Sequence, residues 1–172
     1  MAIFFTSDTH FGHGGALGLF RRPFSSVAEM DEAMVARWND AVDERDEVWH
    51  LGDFAVGRRP ERVHELLTGL NGTKHLVAGN NDGPAALEAP HWASVQHYAE
   101  LEIGERPLVL CHYPFRSWNR MSRGAINLHG HSHGRLDPLP RQLDVGVDVH
   151  DFRPVPFEAI EARFRRRRRA RG

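Results

Sequence analysis

Apolar positions along the chain change period several times, and each change predicts an element. Ala2 to Ser7 is a short apolar run with the length of a buried strand, and it passes into a Gly-rich stretch from Phe11 to Gly18 that reads as a loop. Beyond Ser25 or Ser26, either of which suits a helix cap, Val27, Met30, Met34, Trp38 and Ala41 recur every three or four residues, the spacing of an amphipathic helix. Glu47 to Leu51 predicts a second strand, Pro60 opens a helix through Leu70, and His75 to Ala78 predicts a third strand stopped by Gly79. The second half is more strand-like. Val95 to Ile103, Pro107 to His112, Ala125 to His129 and Gln142 to Val147 are candidate strands, and a last helix runs from Pro156 towards Arg168. Alternating strands and helices predict a layered α/β architecture with its chemistry in loops at the strand ends.

Composition narrows the class. A chain of 172 residues, 41% hydrophobic and 26% charged, has the length and balance of one globular domain. Its net charge of -1 hides an asymmetry: 7 of the 22 basic residues lie beyond residue 162, where there is no acid, leaving 15 basic against 23 acidic residues in the body. We therefore expect a domain over residues 1–162 and an Arg-rich tail over 163–172. The run Arg165 to Arg169 would suit nucleic acid, although a solvated helix end is the favoured reading. A single cysteine, Cys111, excludes an intrachain disulfide framework and a cysteine zinc cluster. No apolar run approaches the roughly 18 residues of a membrane span, and no basic segment precedes the first apolar run, so a cytoplasmic location is expected.

Histidine changes the picture: there are 12, against one lysine, and many of them stand at strand ends. Strand one ends in Asp8-Thr9-His10; strand two runs into Gly52-Asp53; strand three into Gly79-Asn80-Asn81-Asp82; later strands end in Cys111-His112 and Gly130-His131-Ser132-His133. Alternate side chains of an extended segment share a side, so Asp8 with His10, and His131 with His133, are expected to converge, while Thr9 and Ser132 point away. The neighbouring glycines would let backbone come close. Two Asp, one Asn and four His exceed the needs of one four-coordinate ion, but two metals sharing a carboxylate, Asp53 or Asp8, would use them all. Imidazole and oxygen donors without thiolate suit manganese, iron, zinc or nickel.

Together these residues resemble the calcineurin-like metallophosphoesterases, whose pattern is Asp-X-His, Gly-Asp, Gly-Asn-His-Asp/Glu, a lone His and Gly-His-X-His, matched here from about Phe5 to His133. The resemblance implies a four-layer α/β sandwich, two mixed sheets flanked by helices, with two divalent metals at one end, manganese first among the candidates. It implies that Asp8, His10, Asp53 and His133 hold the first metal and Asp53, Asn80, His112 and His131 the second. It also implies hydrolysis of a small phosphate ester, such as a nucleotide, by a metal-bridging hydroxide. A catalytically weak metal-binding scaffold of the same fold is the alternative.

The sequence departs from that pattern at Asn81, where the family has histidine. An amide donates a hydrogen bond but cannot supply a proton near neutral pH, so the departure favours phosphodiesters or cyclic nucleotides over monoesters. His13, in the Gly-rich loop, is the candidate to compensate. Arg116 is a candidate phosphate contact and Trp118 a wall for a base, with a solvated Arg and a packed Trp as the alternatives. Asp82 is expected to cap a helix near Pro84. His50 and His129, adjacent to the motifs, are expected to support rather than ligate. His64, His75, His91, His97 and His150 have no evident partner.

Overall fold

The computed structural model describes residues 1–169, with side chains through Arg165. Among the described residues nine strands form two sheets. The first sheet orders β4-β3-β2-β1-β9, from Trp92–Gln96, Thr73–Val77, Glu47–His50, Ile3–Thr6 and Val155–Pro156; β1 to β4 run parallel and β9 antiparallel. The second orders β5-β6-β7-β8, from Ala99–Ile103, Arg106–Leu110, Ile126–His129 and Gln142–Asp144; β5 is antiparallel to β6 and the rest are parallel.

Strand alternation explains the layering. Phe4, Val48 and Leu76 face one way, into a core shared with α2 (Val27–Ala41) and α3 (Pro60–Gly69). Their neighbours Phe5, Trp49 and Val77 face the other way, against Leu108, Leu110, Ile126 and Leu128 of the second sheet and Phe157, Ile160 and Phe164 of α5 (Phe157–Arg169). Both faces of the first sheet are thus apolar, as buried parallel strands require. The outer face of the second sheet is covered by a loop layer in which Trp118 packs on Val109 and Ala125.

The amphipathic helix begins where the sequence suggests: the Ser26 hydroxyl accepts the Glu29 N–H at 3.1 Å, and the Glu29 carboxylate accepts from Ser25. Two expectations need correction. The Gly-rich stretch contains a short helix, α1 (Gly14–Leu19); burial of Ala16 in the core outweighs the helix-breaking glycines around it. Val95 to Ile103 is two strands rather than one, because the chain leaves the first sheet after Gln96 and enters the second at Ala99. No Gly or Pro marks that crossing, so nothing in the local pattern announces it. Another short helix, α4 (Pro84–Leu87), follows β3. Residues 170–172 of the expected Arg-rich tail lie outside the described residues, as do the side chains of residues 166–169; Arg165 pairs with Glu161 at 3.0 Å.

Parallel strands place their C-terminal ends together. Asp8, Asp53 and Asn80 follow β1, β2 and β3 at one edge of the first sheet, and His112 and His131 follow β6 and β7 of the second. The edges are stitched by backbone bonds: Asp8 N–H to the Gly52 carbonyl, Gly130 N–H to the His112 carbonyl, and a bridge between Ser7 and Gly146.

Candidate metal centre

Five of the seven expected ligands, Asp8, His10, Asp53, His131 and His133, have positive φ, between 47° and 65°. Their convergence is therefore not the alternation of an extended strand, which corrects the expected geometry. The chain leaving β1, β2 and β7 breaks into left-handed residues, each of which costs an L-amino acid on the order of 1 kcal/mol or more, and such strain persists where surrounding contacts hold it. The contacts are visible. Asp53 and Phe54 N–H groups donate to the two Asp82 oxygens at 2.8 Å, and the Gly79 N–H joins them at 2.8 Å. Asp82 is thus a buried clamp on the Asp53 turn, not the helix cap expected; α4 begins at Gly83 without a side-chain cap. Two glycines admit this crowding. A Cβ on Gly79 would stand 2.3 Å from Asp53 Oδ1, and one on Gly130 would stand 2.4 Å from Asp8 Oδ2.

Two donor groups result: Asp8, His10 and His133, and Asp8, Asp53 and His112. Asp53 Oδ2 lies 3.5 Å from His10 Nε2 and 3.6 Å from His112 Nε2, and Asp8 Oδ1 lies 3.7 Å from His133 Nε2. These gaps are too long for hydrogen bonds. They match two ligands around one cation, because bonds of about 2.1 Å meeting near the tetrahedral angle leave donors roughly 3.4 Å apart. Among the described residues His10 Nε2 is buried with no hydrogen-bond partner, a donor atom facing the place a cation would fill. Electrostatics agree. Burial, together with the neighbouring Asp144 and Asp53 carboxylates, pushes the Asp8 pKa well above the usual range, although Ser7 and the His131 N–H oppose it. Burial also drives His10 down to about 3, so its imidazole is neutral and its lone pair available. Asp53 is held low: burial would raise it, but the hydrogen bonds from the Asn81 side chain and backbone, with the neighbouring His112 and His10 imidazoles, prevail.

The remaining expected ligands lie at the same edge. Asn80 Oδ1 is 3.1 Å from His112 Nε2, while His112 Nδ1 meets the Leu51 carbonyl at 2.8 Å and so must carry the proton, leaving Nε2 directed at Asn80 and Asp53. The His131 ring packs edge-on against His112 with centroids 5.1 Å apart, and its backbone N–H donates to Asp8.

A sequence model of the calcineurin-like phosphoesterase superfamily domain matches residues 1–140. The chain belongs to this superfamily. An uncharacterized protein of Methanocaldococcus jannaschii is 30% identical over 166 residues, covering 92% of this chain and 88% of that protein. The gene 66 protein of Mycobacterium phage D29 is 30% identical over 185 residues, with 89% and 92% covered. The solved structure of AQ665 from Aquifex aeolicus, a protein of unknown function, superposes with a TM-score of 0.77 at 21% identity over 94% of this chain and 98% of that one, a likeness of fold. Calcineurin-like phosphoesterases depend on metal, and the donor set above fits one.

The other expected residues fall variously. His13 Nδ1 is 3.3 Å from His10 Nδ1, at the mouth of the site. Asn81 is turned inward onto Asp53, giving its backbone N–H to Oδ1 and its side-chain amide to Oδ2, both at 2.7 Å. Arg116 is exposed and makes no hydrogen bond or ion pair among the described residues. Trp118 is core rather than a substrate wall; it is buried, and its indole N–H donates to the Ala125 carbonyl. Thr9 bonds His50 and the Phe54 carbonyl, and Ser132 bonds Asp144, so both point away from the donors. His75 stacks on Trp49 and bonds Ser94, and His64 pairs with His91 at 3.1 Å. A cavity of about 840 Å³ lies between α2 and α3, but it meets the site loop only at Gly12 and Gly14, and no expected ligand lines it.

Sequence reasoning missed Arg22, Asp148, Phe20 and Tyr113. Phe20 stacks on His133 with centroids 3.5 Å apart, and Tyr113 packs edge-on against His131 at 4.7 Å. The one available signal was an acid inside an apolar run, Asp148 between Val147 and Val149.

Proposed function

We propose that this protein is a two-metal phosphoesterase acting on phosphodiesters, cyclic nucleotides among them. The observation that carries the reading is the position of one Asp53 oxygen between two imidazole nitrogens, 3.5 and 3.6 Å away, which suits a carboxylate shared by two cations. Asp8, His10, Asp53 and His133 would hold one ion, and Asp53, Asn80, His112 and His131 the other. The nitrogen and oxygen donors fit manganese, with iron, zinc or nickel as substitutes. Bound there, the metal pair supplies Lewis acidity toward the phosphoryl oxygens and a water acidified enough to attack at neutral pH.

The chain's own groups do the positioning. Asp82 locks the Asp53 turn, and Asn81 fixes the rotamer of Asp53 through a two-point contact. His13 and Arg116 are the polar groups left to bind non-bridging oxygens, which places substrate without covalent chemistry by the protein. Asn81 offers no proton, so departing groups that leave as stable alkoxides or phenoxides are favoured. That property suits a diester with one good leaving group better than a phosphate monoester of a simple alcohol.

Stripping the metal, restoring Mn2+, and comparing a chromogenic aryl diester with the matching monoester tests the reading. Diester turnover that returns with Mn2+ and exceeds monoester turnover is expected. Silence on both substrates after two ions are shown to bind would overturn it in favour of a metal-binding scaffold.

A further inference from the structure

The imidazoles of this edge differ in how they are held, and the difference concerns two residues the proposed function does not use. We propose that Arg22 and Asp148 are positioning residues of the metal centre, acting on His133 and on the Asp8-Thr9 backbone; the inference rests on the metal-centre reading. Asp148 Oδ2 accepts from His133 Nδ1 at 2.7 Å, which fixes the proton on Nδ1 and turns Nε2 toward Asp8. A carboxylate behind a ligating imidazole sets its tautomer and orientation and raises its basicity.

Arg22 explains why Asp148 stays there. Its guanidinium forks onto the carboxylate, Nε to Oδ1 at 2.8 Å and an NH2 group to Oδ2 at 2.9 Å. The guanidinium also donates to backbone, Nη2 to the Asp8 carbonyl at 2.6 Å and Nη1 to the Thr9 carbonyl at 2.8 Å, so one side chain ties the Asp8 turn to the support of His133. The Arg22 side chain has no solvent exposure and that of Asp148 is 9% exposed. Four of the five side-chain hydrogen bonds of this buried cation are directed at this edge, the fifth reaching Met30 Sδ at 3.5 Å, whereas a solvated ion pair would do nothing comparable for stability. Phe20 completes the arrangement, lying flat on His133 at 3.5 Å while the Arg22 guanidinium sits 5.3 Å above the Phe20 ring. The ring of His133 is therefore held in plane by Phe20 and in rotation by Asp148.

The test is Asp148→Asn in the full chain, stripped of metal and titrated calorimetrically with Mn2+. Wild-type protein is expected to bind two ions. The variant is expected to lose about 10- to 100-fold in one of the two steps and to keep the other, with an unchanged circular dichroism spectrum. A folded variant that binds both ions as the wild type does would overturn the proposal. Nitrogen-15 spectra of the metal-free wild type give a second reading that needs no variant: the His133 proton is expected on Nδ1. A proton on Nε2, or free exchange between the two nitrogens, would overturn the proposal even if Asp148→Asn did not fold. Failure of the metal-centre reading looks different. Wild-type protein would then bind no Mn2+ at all, while a proton on Nδ1 would still support the positioning geometry.

Discussion

Replacing Asp82 with Asn separates what holds the site together from what merely fills it. The carboxylate accepts three backbone N–H groups at 2.8 Å, from Asp53 and Gly79 on Oδ2 and from Phe54 on Oδ1. An asparagine whose oxygen takes the Oδ2 position keeps two of these bonds without charge assistance and turns an NH2 group against the buried Phe54 N–H. One orphaned buried donor costs about 1–3 kcal/mol. A partial offset exists, because burial pushes the Asp82 pKa up: the ion is held at a cost that three hydrogen bonds do not fully cancel, and the neutral amide avoids it. With that offset the net expectation is a loss of about 1–2 kcal/mol, or a fall in Tm of roughly 2–8 °C for a chain of this size. Asp82→Ala orphans all three donors and should lose about two to three times as much. Thermal unfolding of the metal-free proteins measures both, and Mn2+ titration should show weakened binding in each, since the Asp53 turn loses its clamp. Asp82→Ala with wild-type Tm and wild-type Mn2+ affinity would refute the clamp.

Asn81→His should raise monoester turnover relative to diester turnover by about tenfold or more, a fraction of the roughly 10²–10⁴-fold that an ideally placed general acid contributes; an unchanged ratio means Asn81 does not set preference. Burial pushes His50 down to about 3, against 6.5 in an unfolded chain. The unfolded state then binds the proton that the folded state refuses, so stability is lost as pH falls from 6.5 towards 3, at a limiting rate of about 1.4 kcal/mol per pH unit. Urea midpoints of wild type and His50→Gln across that window should diverge, and parallel curves would contradict the assignment. Gly79→Ala, whose Cβ would stand 2.3 Å from Asp53 Oδ1 and 2.6 Å from the Asp53 nitrogen, should abolish turnover and cost about 1–3 kcal/mol of stability, read by activity and melting together.

What the sequence makes legible here is set by range. The helix after Ser26 and the strands around Phe5, Trp49 and Leu76 follow from local period, and the donor residues stand out because Gly and His punctuate strand ends. The way the donors meet does not follow from period: Asp8, His10 and Asp53 turn inward through left-handed backbone held by contacts 29 to 45 residues distant, such as Thr9 to Phe54 and Asp53 to Asp82. Arg22 is hidden because Arg21-Arg22 looks like a solvated pair, and its partner Asp148 lies 126 residues away. Trp118 reads equally as core or as substrate wall until Val109 and Ala125 are seen against it. Likewise, the break between β4 and β5 depends on which sheet receives each half.

The account stands most directly on where cations bind. Crystals of the full chain soaked in Mn2+, with anomalous difference maps recorded on both sides of the manganese edge, should show two peaks about 3.5–4 Å apart. Asp53 should lie between them, His10 and His133 on one side and His112 and His131 on the other. One peak, no peak, or peaks away from Asp8 and Asp53 would contradict the account.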